Sequence, residues 1–208
     1  MVEHRPSPEY FMDAAFKAAQ NSTCARRRVG AVIADPSSTI VSLGWNHSSN
    51  GISCEAKFFS QYIQDKYPDT AEVKMFLKAL QEDPLTAHGY EKYLSSELSS
   101  VWKSFQLWTK TPEFKELHKN WQNTEIHSEL SAILNAYKLG RTPSNSVLYS
   151  SRSPCIACAH AIIESKFIDK VYYTQLSLAG EGGIPILEQA GIKVEHMDPT
   201  PFEEIYYT

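Results

Sequence analysis

Two short segments of this chain combine residue types that could do chemistry together. They are His127-Ser128-Glu129 and Ser153-Pro154-Cys155-Ile156-Ala157-Cys158. One histidine and two cysteines hold a zinc ion with the fourth tetrahedral position open, the pattern of a reactive centre rather than a structural one. Zinc lowers the pKa of a bound water to about 7, and a nearby carboxylate can carry that water's protons. The expected ligands are therefore His127, Cys155 and Cys158. Glu129 is the expected proton carrier, and it need not touch the metal. Alone, a Cys-x-x-Cys pair could be a redox couple or two buried thiols, and a His-x-Glu means little. Together, in this order and with proline before the first cysteine, they single out the reactive zinc.

The elements that must position these groups constrain the site. Two residues along an ideal helix turn through roughly 200°, so His127 and Glu129 cannot share a face inside a helix. They converge only where His127 sits at a helix start. Ile126, Leu130, Ile133, Leu134 and Tyr137 recur at helical spacing, and Gly140 ends the run. Cys155 and Cys158, three apart, share a face. Ser153-Pro154 predicts a helix reaching about Ser165 with both thiols in its first turn, where the helix end favours thiolate.

The rest of the chain supplies a frame. Ser7 can cap and Pro8 can start a helix over 8–20, with Phe11, Ala14, Ala15, Ala18 and Ala19 on one face. Val29–Ala34 and Thr39–Trp45 read as a hairpin around Asp35-Pro36-Ser37. Val147–Ser150, Lys170–Thr174 and Ile192–His196 read as strands, and Glu181–Ala190 as a helix closed by Gly191. Helices alternating with strands from 124 onward predict α/β layering with a mixed sheet. Residues 55–117 differ: they are rich in Tyr, Phe, Trp, Lys and Glu, and helical in pattern, with breaks near Pro68, Pro84 and Pro112. The expectation is one domain over 1–208, with a helical insertion at about 55–117.

Bulk properties narrow the function classes. At 208 residues and 42% hydrophobic content the chain can bury a sizeable core. Its net charge of −4 argues against a broad basic face for a nucleic-acid backbone. No stretch approaches the length of apolar residues that spans a membrane, and the N-terminus Met1-Val-Glu-His-Arg-Pro6 lacks the apolar core of a secretory signal. A cytoplasmic, reducing location is expected, in which the four cysteines serve as ligands rather than disulfides.

These residues resemble the cytidine deaminase superfamily, in its deoxycytidylate (dCMP) deaminase branch of the T-even phage type. The His-x-Glu…Pro-Cys-x-x-Cys arrangement is the signature of zinc-dependent base deaminases. The similar segments are 24–33, Gly44-Trp45-Asn46, 125–133, 153–159, Val171-Tyr172 and Ala190-Gly191-Ile192, which span nearly the whole chain outside 55–117. The resemblance implies a three-layer α/β/α fold with a five-stranded mixed sheet between helices. It implies zinc-dependent hydrolysis of a small nucleotide, dCMP, to dUMP and ammonia, feeding dTMP synthesis in the cytoplasm (a host's, if viral). It also implies a homo-oligomer, often a hexamer.

The resemblance extends to the other cysteines. A second, structural zinc is implied on Cys24, Cys54, His118 and Glu125, with His88 as a substitute for His118. Such a clamp would close the loop around the insertion. Asn46 matches the family residue that binds the sugar. Arg28 and Arg26 stand where basic residues approach the 5′-phosphate, and Ser153 lies beside the zinc. A run of three arginines reads equally well as a solvated surface.

This chain departs from the family at several places. Ser128 and Ile156 replace the usual Ala and Pro. The segment Asn46-His-Ser-Ser-Asn-Gly51 keeps only the last glycine of the loop found in members regulated by nucleoside triphosphates, and Leu176 replaces an expected tyrosine. Three alternatives stay open: another or modified nucleotide or nucleobase, a base within a polynucleotide, and an inactive zinc scaffold. Trp102, Trp108 and Trp121 could stack bases, although aromatics at helical spacing are more often core. The intact Glu129 argues against a scaffold, which needs no proton carrier.

Overall fold

The computed structural model describes residues 6–49, 53–66, 74, 96–122, 124–177 and 181–206. In chain order its elements are α1 (Pro8–Ala19), β1 (Gly30–Ala34), β2 (Ile40–Trp45), β3 (His47–Ser48), α2 (Cys54–Lys66), α3 (Ser96–Trp108), α4 (Pro112–Gln122), β4 (Glu125–Ile126), α5 (Ser128–Lys138), β5 (Ser146–Arg152), α6 (Ile156–Ser165), β6 (Ile168–Gln175), α7 (Ile184–Gln189), β7 (Lys193–His196) and α8 (Thr200–Tyr206). They form two compact units. The first contains the residues up to Ser22, Val29–Asn46 and everything from His127 onward. The second contains Thr23–Arg28 and His47–Ile126. The segment 55–117 falls inside the second unit.

The first unit is a five-stranded sheet in the order β2-β1-β5-β6-β7. β1 pairs antiparallel with both β2 and β5, while β5, β6 and β7 run parallel. The parallel pairs need crossovers, which α6 and α7 supply. Every residue of β1 is buried, because both faces of the sheet are covered. Ala31 and Ile33 pack with Ala132, Ile133, Ala159 and Ile162 of α5 and α6. Val32 and Ala34 pack with Phe11, Met12, Ala15 and Phe16 of α1. This pleat-by-pleat alternation makes three layers, α/β/α, and bears out the expected class.

Local differences from the sequence reading have physical causes. Ser7 occupies the N-cap of α1, but its side chain makes no capping bond; Pro8 at the first position already removes one N–H that would need a partner. α6 begins at Ile156 rather than at Pro154, and 181–183 form a turn ahead of α7. The C-terminal helix α8 was not anticipated. Its Phe202 stacks on Phe16 with centroids 5.1 Å apart, and the Tyr206 hydroxyl donates to Asp13 Oδ1 at 2.6 Å.

The second unit is built from α2, α3, α4 and a two-stranded ribbon in which His47 pairs with Ile126 and Ser48 with Glu125. Its core is aromatic: Phe58, Phe59, Tyr62, Trp102, Phe105 and Phe114, together with Cys24 and Cys54. Trp108 and Trp121 pack against that core. The three tryptophans considered as base-stacking platforms therefore serve packing. His88, Pro68 and Pro84 lie outside the described residues. No helix among the described residues is long and apolar enough to cross a membrane.

α5, which carries Glu129, lies unusually close to β2. A Cβ on Gly44 would overlap Ser128 O and Ala132 N and come within 2.9 Å of Ala132 Cα. Ser42 Oγ donates to Ala132 O at 2.8 Å and Asn135 Nδ2 to Leu43 O at 2.8 Å, fixing the helix along the strand. Strand propensity alone favours alanine over glycine. The close approach reverses that preference: Gly44→Ala is expected to lower stability by about 1–3 kcal/mol or more, read as a lower thermal unfolding midpoint. An unchanged or raised midpoint would contradict this packing.

Candidate active site

His127 is the N-cap of α5, with extended backbone at φ −72° and ψ 156°. This is the helix start that the two-residue spacing demanded. Cys155 is likewise the N-cap of α6, at φ −74° and ψ 172°. It therefore stands just outside the helix, and only Cys158 lies in the first turn, which corrects the expectation for both thiols. The thiols still converge, because an N-cap side chain reaches toward the residue three positions on, as it does in a capping box.

His127 Nδ1 lies 3.4 Å from Cys155 Sγ and 3.4 Å from Cys158 Sγ. The three donor atoms all fall within 4.8 Å of one another. A tetrahedral zinc with bonds of about 2.3 Å to sulfur and 2.0–2.1 Å to nitrogen sets sulfur and nitrogen about 3.5 Å apart. The donor set and its spacing thus fit zinc, with three protein ligands and one position left over.

The electrostatics suit the same use. The Cys155 thiol is held down to about 4, chiefly by the hydrogen bond that Cys158 donates to its sulfur and further by His127. The same bond, with burial, pushes Cys158 up, as does Glu129 beside it. Glu129 is buried, and burial raises its carboxyl above the ordinary carboxylate range, with His127 pulling the other way. Ser128 Oγ donates to Glu129 Oε2 at 2.9 Å and also opposes the rise. The sequence reading noted Ser128 only as a replacement for the family's usual alanine and gave it no role. Its signal was a hydroxyl next to a carboxylate, at a site where the charge on that carboxylate matters.

The remaining first-unit residues gather at one end of the sheet. The register pairs Gly30 with Trp45, Ala31 with Ser150 and Arg152 with Gln175, so Asn46, Ser153 and Leu176 all leave the sheet at that end. Asn46 is buried and bonds Val29 reciprocally. The Val29 N–H donates to Asn46 Oδ1 at 2.8 Å, and the Asn46 N–H donates to Val29 O at 3.0 Å. Ser153 is also buried. Its N–H donates to Gln175 O at 2.7 Å, and its Oγ accepts from the Ser177 N–H at 2.8 Å. Leu176 is half-exposed.

The second unit holds the other group that could bind a metal. Cys24, Cys54, His118 and Glu125 have donor atoms within 4.8 Å of one another. His118 Nε2 lies 3.5 Å from Cys24 Sγ, 3.3 Å from Cys54 Sγ and 3.9 Å from Glu125 Oε1. These sulfur–nitrogen spacings again match a tetrahedral zinc, here with all four positions filled. His118 is 1% exposed and packs beside the rings of Phe58 and Phe114, with centroids 5.7 and 5.6 Å away. Arg26 and Arg28 also belong to this unit. The Arg28 guanidinium pairs with Glu55 at 3.4 Å, and burial lifts the Glu55 carboxyl to about 7 against the pull of Arg28.

Comparison with known proteins agrees with this geometry. Residues 5–175 match the family model for the cytidine and deoxycytidylate deaminase zinc-binding region. A deoxycytidylate deaminase of Enterobacteria phage T2 is 30% identical, over 92% of this chain and 92% of its own length. That of Enterobacteria phage T4 is 30% identical over 86% and 84%. The dCMP deaminase of cyanophage S-TIM5, solved in complex with dCMP and dUMP, shares the fold with a TM-score of 0.53 at 21% identity, over 91% of this chain and 95% of that one. The chain belongs to the cytidine and deoxycytidylate deaminase family.

Proposed function

We propose that this family member is a zinc-dependent hydrolase that deaminates dCMP to dUMP and ammonia, upstream of dTMP synthesis, as a homo-oligomer. The observation that carries the reading is the convergence of His127 Nδ1, Cys155 Sγ and Cys158 Sγ at tetrahedral spacing, with buried Glu129 beside them. The name shared by the T2 and T4 relatives supports dCMP as the substrate.

In this reading His127, Cys155 and Cys158 hold the ion and leave one position open. When bound, zinc with an open position makes water a nucleophile at neutral pH. Glu129 accepts the proton that the attacking water loses and delivers it to the departing amino group. One carboxylate thus serves as base and then as acid, so that N3=C4–NH2 and H2O become HN3–C4=O and NH3. Burial suits this double role, because a raised carboxyl is a stronger base toward the water than an ordinary carboxylate and holds the proton until the amino group takes it. Asn46 commits Oδ1 to the Val29 N–H, which fixes the orientation of the side-chain amide assigned to the sugar. The four-ligand set Cys24, Cys54, His118 and Glu125 would hold a closed, structural zinc.

Ammonia release from dCMP, CMP, dCTP, deoxycytidine and a cytosine-containing single strand tests the substrate. Turnover is expected on dCMP, and none on any monophosphate would sink the reading. Glu129→Gln should keep its zinc and lose about 10²-fold or more in kcat; retained turnover would remove Glu129 from the proton path. Elemental analysis should find about two zinc ions per chain, and about one in the Cys24→Ser/Cys54→Ser double variant. A wild-type count of one would leave the second cluster without its ion.

Ser128→Ala gives a further check. Losing the hydroxyl that donates to Glu129 raises the carboxyl further. A base works only when ionised, so the acidic limb of the kcat/KM profile should move to higher pH. A limb that stays put or moves down would show that Ser128 does not tune Glu129.

A further inference from the structure

Between the end of β5 at Arg152 and the start of α6 at Ile156, the chain leaves the strand ladder, and helical bonding reaches it only at the Cys155 carbonyl, which accepts from the Ala159 N–H at 2.8 Å. Arg152↔Gln175 is the last registered pair. Cys155 sits in this gap, and a ligand must be held to within about 0.5 Å to keep its geometry. The end of β6 and the residues just after it take over the task. Thr174 Oγ1 donates to Ser151 O at 2.7 Å, the Ser153 N–H donates to Gln175 O at 2.7 Å, and the Ser177 N–H donates to Ser153 Oγ at 2.8 Å.

Two further contacts come from residues that no part of the proposed chemistry uses. The Arg152 guanidinium forks onto the same stretch: Nη1 donates to Leu176 O at 3.0 Å and Nη2 to Gln175 Oε1. A rigid fork can satisfy two acceptors at fixed angles, which a lysine ammonium does not reproduce. Further along, Gly183 packs on the backbone of the gap. A Cβ there would overlap Pro154 O and lie 2.8 Å from Cys155 O. The φ of Gly183 is −90°, so the position needs glycine for space and not for its backbone angle.

We propose that Arg152 and Gly183 are positioning residues for Cys155, clasping the 152–155 segment from its two sides. The fork ties the segment to the end of β6, and the glycine lets the turn before α7 bear directly on the Pro154 and Cys155 carbonyls. The inference rests on the reading of Cys155 as a zinc ligand.

Peptide-resolved alkylation tests it. The zinc-loaded full chain is pulsed with iodoacetamide, and each cysteine is followed by mass spectrometry in wild type, Arg152→Ala, Arg152→Lys and Gly183→Ala. Cys24 and Cys54, in the other unit, are the internal reference. Loss of the clasp should speed modification of Cys155 several-fold in Arg152→Ala and Gly183→Ala, and less in Arg152→Lys, with Cys24 and Cys54 unchanged. If all four cysteines quicken together, the residues act on overall stability and the inference falls. It also falls if Cys155 stays as protected as in wild type, and Arg152→Ala decides this even where Gly183→Ala fails to fold. Wild-type Cys155 that added zinc does not protect would overturn the zinc reading, and the inference with it.

Discussion

A helix cannot put residues two apart on one side, and the arrangement around the first cluster follows from that restriction. His127 can face the same centre as Glu129 only because helical geometry has not begun at the histidine. Once His127 is an N-cap, α5 has to be fixed along its whole length, since a small rotation would swing Glu129 away. The fixing is visible in Gly44, which lets the helix press on β2, and in the bonds from Ser42 and Asn135 that tie helix to strand. Cys155 solves the same problem in the same way, as the extended residue before α6.

This restriction also explains which parts were legible in the sequence. The spacing of 127 and 129 is a statement about angles, so it located a helix start correctly from two residues. The unbroken apolar run Val29–Ala34 gave β1, which is buried throughout, and the helical run after His127 gave α5 for the same reason: pattern follows directly from burial. Cys155 was placed inside the first turn, although it is the N-cap, because proline signals a helix start without fixing which of the next residues is first. The ribbon of His47–Ser48 with Glu125–Ile126 was invisible, since two-residue strands carry no period. Gly183 was invisible for another reason. A glycine needed for a close approach looks, in sequence, like any turn glycine, and only the backbone carbonyls it faces reveal the need.

The two clusters share nearly the same donors yet differ in what they could do. Each has two thiols and one imidazole at similar spacing. The second adds Glu125 as a fourth donor and sits within an aromatic core, with His118 buried against Phe58 and Phe114. The first has no fourth protein donor among the described residues, and Cys155 is only half-buried. In place of a fourth ligand it has Glu129, in the first turn of α5 and within hydrogen-bonding reach of the Cys158 thiol. A carboxylate that completes a coordination shell closes it. One placed next to an incomplete shell can exchange protons with whatever fills the gap.

The position of the first cluster follows from strand direction. In an open α/β sheet, ligands gather beyond the carboxyl ends of the parallel strands, and here β5 and β6 end at Arg152 and Gln175. The antiparallel hairpin contributes to the same end through its other polarity: β2 finishes there at Trp45 and β1 starts there at Gly30. Asn46 and Val29 then close that corner with reciprocal bonds between a side chain and two backbone groups. A purely parallel sheet would have left that corner to a loop. Antiparallel pairing at β1 is therefore more than a variation on the fold. It brings a backbone-locked amide to the end of the sheet where the Cys155 segment emerges, so that the residue expected to meet a sugar and the residues expected to hold zinc are referred to one rigid frame.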